Sequence, residues 1–99
     1  MKFIVEVSFP TEPFNTYVRH GTAGQKLGDV IAAIKPEVVY FTDNGVGRGA
    51  MMIVEIESAR QVPHITEPLM LGFDASVHYR AALPPEELMA AGLERYATA

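Results

Sequence analysis

The 99-residue sequence contains no cysteine. That excludes disulfides, thiolate metal sites and a cysteine nucleophile. Cations are scarce: eight Lys and Arg against twelve Asp and Glu give a net charge of −4. A balance of that sign argues against broad contact with a phosphate backbone, which needs Lys and Arg in numbers. No apolar run approaches the roughly 20 residues that span a bilayer as a helix. The opening segment MKFIVEVSF has one Lys, and Glu6 interrupts its apolar stretch, so it does not read as a secretion signal. The histidines, His20, His64 and His78, are far apart, and neither His-x-His nor His-x-x-x-His occurs. No metal is expected. The expectation is a cytoplasmic protein that binds neither nucleic acid nor membrane and uses no cofactor.

What is present reads as one globular domain, residues 1–99. The chain is 48% hydrophobic and 20% charged, a composition that folds around a single core. Residues 2–9, KFIVEVSF, alternate as a strand: Phe3, Val5, Val7 and Phe9 share one face, Ile4, Glu6 and Ser8 the other. Pro10 stops it, and Thr11 is placed to cap a helix with Glu12 and Pro13 in its first turn. Apolar residues then recur at helical spacing from about 12 to 34 (Phe14, Tyr17, Val18, Leu27, Ile31, Ile34). Gly21, Gly24 and Gly28 on that side mean close helix packing, a break near 21–24, or room for a ligand. Residues 37–42, EVVYFT, form a second strand. DNGVGRG is a Gly-rich hairpin turn, and AMMIVEI, residues 50–56, has the continuous apolar pattern of a strand buried on both faces.

Ser58 and Gln61 form a capping box. Pro63 and Pro68 then break residues 58–72 into short helical pieces ended by Gly72. Residues 75–82, ASVHYRAA, make a fourth strand with Val77 and Tyr79 on one side and Ser76, His78 and Arg80 on the other. Pro84-Pro85-Glu86-Glu87 opens a last helix, acidic at its start and with Arg95 in its last turn.

The order β-α-β-β-α-β plus a terminal helix is the split βαβ pattern of an α+β, ferredoxin-like fold. Right-handed crossovers give an antiparallel sheet in the order 4-1-3-2 with both helices on one face. The other face carries Ile4, Tyr40, Met51 and Ile53, too apolar to leave wet. A second copy of the sheet is the economical cover. The expected assembly is a homodimer whose sheets face each other around a cavity.

This order and burial resemble the dimeric α/β-barrel superfamily. That group includes muconolactone isomerases, cofactor-free antibiotic-biosynthesis monooxygenases and YCII-related proteins. KPEVVYFTDNGVGRGAMMIVEI (35–56) and ITEPLMLGFDASVHYRAALPPEEL (65–88) further resemble a set of small bacterial proteins of unknown function, some labelled "panthothenate synthetase". A pantothenate ligase needs a nucleotide site, and the sequence provides none. The resemblance to this small family carries no chemistry of its own; the superfamily resemblance implies the dimeric barrel and suggests cofactor-free isomerisation or oxygenation.

The candidate catalytic residues are Glu6, His78 and Arg80; Glu6, Glu55 and His78 sit on strands expected to be neighbours, with Arg80 and Ser8 nearby, so that Glu6 can approach either Glu55 or His78. A His beside a carboxylate in a partly dry cavity holds its proton more easily and serves as general acid or base. Arg80 would face a developing enolate. The alternative is a mutually satisfied polar cluster that fixes strand register or the dimer. Ser8, Tyr17, His20, Tyr40, Arg48 and Glu55 complete the candidate set as substrate contacts. His20 stands beside Arg19 on the first helix, near where monooxygenase relatives contact substrate with polar side chains. It matches no motif position, and a solvent-facing residue is the alternative. His64 reads as a surface residue. The G-x-G-x-G of the hairpin is followed by a strand, not the helix N-terminus a phosphate loop needs. Arg48 there could hold an anionic group at a cavity mouth. The expected ligand is a small, partly apolar organic molecule; whether it is turned over, by cofactor-free isomerisation or oxygenation, is left open by the sequence. The rival is a non-catalytic binding or assembly protein with a filled interior.

Overall fold

Four segments pair into one antiparallel sheet, in the order β2-β3-β1-β4. The strands are β1 (Lys2–Phe9), β2 (Val38–Thr42), β3 (Arg48–Glu55) and β4 (Ser76–Ala82) in a computed structural model that describes residues 1–98. The helices are α1 (Thr11–Arg19), α2 (Ala23–Ile34), α3 (Val62–Phe73) and a short α4 (Pro85–Ala90). This is the ferredoxin-like arrangement, and the sheet order is the one expected from the sequence. Register follows from alternation: Val5 lies opposite Met52 and Tyr79, and Glu6 opposite Met51 and His78. A slip of one residue would turn Val5 and Val7, both buried, onto the opposite face.

The core lies between the sheet and helices α1–α3. Val5, Val7, Phe9, Ala50, Met52 and Val54 from the sheet meet Ile34, Ile65, Leu69 and Phe73 from the helices. Phe73 is its aromatic centre. Its ring lies 5.2 Å from Phe9, 5.4 Å from Phe14 and 5.4 Å from Tyr17. Tyr17 buries its ring there, and its hydroxyl donates to the Gly72 carbonyl at 2.6 Å. In the single chain β3 is buried on one face only. Met51 and Ile53 remain partly exposed, so the expectation of burial on both faces does not hold within one chain.

The helices differ from the sequence reading at several points, although the break near Gly21 is one of the alternatives it offered. The first helical stretch is two helices, broken at His20–Thr22, where Gly21 adopts φ 74°. Close packing is not what Gly24 and Gly28 provide, since a Cβ at either would meet nothing within 4 Å. Thr11 does not cap α1. Glu12, itself non-helical, accepts from the Thr16 amide at 2.9 Å, the Thr16 hydroxyl at 2.8 Å and Arg19 at 3.1 Å.

After the Ser58–Gln61 capping box and one 3-10 turn, α3 runs unbroken through Pro68 to Phe73. Pro63 sits in its first turn, where no donor is required. The N–H that Pro68 lacks would have bonded to the carbonyl of His64, an exposed residue. Gly72 does not end the helix. Asp74 does, in the left-handed region at φ 53°. The last helix is likewise interrupted: α4 stops at Ala90, Gly92 turns at φ 71°, and Leu93–Tyr96 form a 3-10 turn.

This tail stands off the body. Its apolar side chains, Leu83, Leu88, Met89, Leu93 and Tyr96, are exposed, Met89 at 79%. The longest dimension is 61 Å and the radius of gyration 16.7 Å, against about 13 Å for a compact chain of this length.

Candidate functional site

The sheet surface away from the helices carries the residues of interest. On β1 it presents Ile4, Glu6 and Ser8, on β3 Met51, Ile53 and Glu55, on β4 Ser76, His78 and Arg80, on β2 Val38 and Tyr40. Its apolar residues are open to solvent to different degrees: Tyr40 on the edge strand β2 is 65% exposed, and Ile4, Met51 and Ile53 on the central strands are partly exposed. Neither the tail nor any helix covers it.

Glu6, His78 and Arg80 come together here. His78 is directly opposite Glu6, but the Glu6 carboxylate accepts its hydrogen bond from the Arg80 guanidinium, one diagonal step along, at 3.2 Å. That bond and the Arg80 charge hold the Glu6 carboxyl below the usual carboxylate range. The same pairing raises the Arg80 guanidinium further above its already high range. Among the described residues the His78 ring makes no hydrogen bond.

Ser8 shares the face at the hairpin end of β1, its hydroxyl 3.5 Å from the Asn44 carbonyl. Tyr40 lies opposite Met51 on the outer ladder. Glu55 does not join Glu6. It lies opposite Lys2, four residues and about 13 Å along the strand from Met51. There it accepts from the amino group of Met1 at 2.6 Å and from Lys2 at 3.3 Å. Those two cations lower its pKa, the amino group first. Lys2 also pairs with Glu37.

The remaining candidates lie elsewhere. Tyr17 is on the helix side, within the aromatic cluster. His20 is exposed at the break between α1 and α2. Arg48 also points to the helix side, where it donates to the Asn15 side-chain carbonyl at 2.7 Å and lies 4.4 Å over the Phe14 ring. Sequence reasoning missed Asn15. The signal was present in parity: Arg48 is in step with Ala50, Met52 and Val54, whereas the Gly-rich turn pointed to a cavity mouth.

Among the described residues no three His, Asp or Glu side chains are grouped to hold a metal ion. None of the helices is long and apolar enough to cross a membrane. No family model matches the chain, and no curated protein matches it. Among solved structures, the protein Atu4242 from Agrobacterium tumefaciens is similar over 86% of this chain and 96% of its own, at 12% identity and a TM-score of 0.38. A likeness of that size brings no residue, ligand or activity with it.

Proposed function

We propose that two copies of this chain stack their outer sheet faces as a dimeric α/β barrel, in the cytoplasm, and hold a small, partly apolar organic molecule between them. One observation carries the reading. Ile4, Val38, Tyr40, Met51 and Ile53 form a wall that the chain's own helices and tail leave uncovered. An apolar face of this extent calls for a partner, and a twofold pairing of like faces is the commonest closed solution.

Within such a chamber Arg80 and Glu6 form a fixed pair. Arg80 offers its remaining donors to a carbonyl or carboxylate of the ligand. His78, opposite Glu6 and without a hydrogen-bond partner among the described residues, is the group best placed to exchange a proton. Glu6 is held in its charged form by Arg80, so its role is to orient the cation rather than to act as the base. Together the three suit proton abstraction beside a carbonyl, with Arg80 facing the enolate; oxygenation of an activated ring is the related cofactor-free reaction. A non-catalytic assembly is the second reading. The direct Arg80–Glu6 bond favours it, because two paired groups need no ligand.

Sedimentation and native mass spectrometry test both. The expected result is a dimer at micromolar concentration that Ile53→Lys converts to a monomer, with a bound mass of a few hundred daltons released on denaturation. A monomeric wild type overturns the chamber. A dimer that carries no small molecule, and shows none on soaking, selects the filled assembly.

A further inference from the structure

On the opposite side of the sheet, where the β2–β3 hairpin approaches α1 and α2, lies an open cleft of about 480 Å3. That is the size of small-molecule sites. Phe9, Phe14, Leu27 and Phe41 wall it, and its two charged groups are Arg48 and Asp43. Arg48 is half-buried. Its polar partner is the neutral Asn15, and its face contact is the Phe14 ring. No carboxylate among the described residues pairs with it. Asp43 lies in the same cleft but forms no ion pair with Arg48 within 4.0 Å; its Oδ1 is turned to the amides of Gly45 at 2.7 Å and Gly47 at 2.9 Å.

A guanidinium partly withdrawn from water with no counter-charge is unfavourable unless an anion comes to it. Asn15 uses one of five N–H donors, and the rest of the planar fork matches a carboxylate. The surrounding phenyl rings favour a flat aromatic body in edge or offset contact. We propose that this cleft is a second binding site, for a small aromatic carboxylate, with Arg48 taking the carboxylate and the Phe9, Phe14, Leu27 and Phe41 walls taking the ring. It faces away from Glu6, His78 and Arg80, so it stands whether or not the outer faces pair.

The test is an NMR titration of the full-length 15N-labelled protein with 2-naphthoate and, separately, with uncharged 2-naphthamide. Saturable shifts are expected at the Arg48 Nε–H and the amides of Thr42, Gly47 and Gly49. The amide should bind at least about tenfold more weakly, the worth of one charge-assisted hydrogen bond. Arg48→Gln should weaken naphthoate binding by about the same factor, Arg48→Lys should restore part of it, and Arg80→Gln should leave it unchanged. The site is overturned if naphthoate shows no saturable shift at millimolar concentration, if acid and amide bind alike, or if binding follows Arg80. Should Arg48→Gln unfold the protein, the acid-to-amide ratio in the wild type and the Arg48→Lys variant still decide.

Discussion

The Glu6 carboxylate and the Arg80 guanidinium meet at 3.2 Å across a diagonal of the β1–β4 ladder, although His78 occupies the position directly opposite Glu6. Diagonal neighbours on one sheet face lie within reach of long side chains. Arg, with five donors on a long stem, reaches further than imidazole. The pair is solvent-exposed, so it sets orientation more than stability.

The pairing has a pH signature. In the folded chain the Glu6 carboxyl titrates below its ordinary value because Arg80 stabilises the charged form. A lowered folded pKa stabilises the fold above the unfolded value, and that stabilisation disappears as pH falls through the folded one. Arg80→Gln should therefore move the Glu6 midpoint up into the ordinary carboxylate range, read from its side-chain 13C shift. An unchanged midpoint would mean the two groups do not meet in solution.

Two glycines should respond in opposite senses to alanine. At Gly49 a Cβ would stand 2.7 Å from the Val7 carbonyl oxygen and 2.8 Å from the Asn44 amide nitrogen. Asn44 itself ties Val7 to Ala50 through bonds of 2.7 and 3.1 Å. Gly49→Ala forces β1 and β3 apart and should cost about 1–3 kcal/mol, as overpacking does. Gly28 lies within α2 with open space around it. Gly28→Ala should stabilise by about 0.5–1 kcal/mol through backbone entropy alone. Urea denaturation measures both, and a shared sign would refute this account of the packing.

The aromatic cluster offers a graded series. Phe73 is fully buried between Phe9, Phe14 and Tyr17. Phe73→Ala should lose about 3–5 kcal/mol. Tyr17→Phe keeps the ring and removes only the bond to the Gly72 carbonyl, so about 1 kcal/mol is expected. Equal losses in the two variants would show that the hydroxyl, not the packing, holds α1 against α3.

The strands were legible because a period of two leaves little freedom. Alternation in KFIVEVSF and ASVHYRAA assigns every side chain to a face, and handed crossovers supply the sheet order. The helices were less so. Pro63 and Pro68 read as breaks, yet one falls in the first turn and the other one turn beyond the exposed residue His64, and a sequence window does not reveal which side of a helix faces solvent. For the outer face, the sequence placed Glu6, His78 and Arg80 on one surface. It did not show that Arg80, rather than His78, takes the carboxylate, because that choice depends on side-chain reach. Glu55 was misplaced for want of register: strand adjacency alone does not say that its opposite number is Lys2.

The hairpin that positions Arg48 rests on Asp43, whose carboxylate gathers the amides of Gly45 and Gly47. Those bonds, Gly47 first, hold its pKa below the ordinary aspartate value. The turn should therefore be tightest above that ordinary value and loosen as pH falls through the lowered one. Hydrogen exchange at Gly45 and Gly47 reports this directly, once corrected for the intrinsic pH dependence of exchange. Asp43→Ala should expose both amides at neutral pH and loosen the cleft around Arg48. Asp43→Asn keeps a carbonyl acceptor, so it should retain most of the protection while removing its acid sensitivity. If Asn loses protection as fully as Ala, the negative charge rather than the acceptor geometry shapes the turn, and the φ 102° and 95° conformations of Gly45 and Gly47 depend on it.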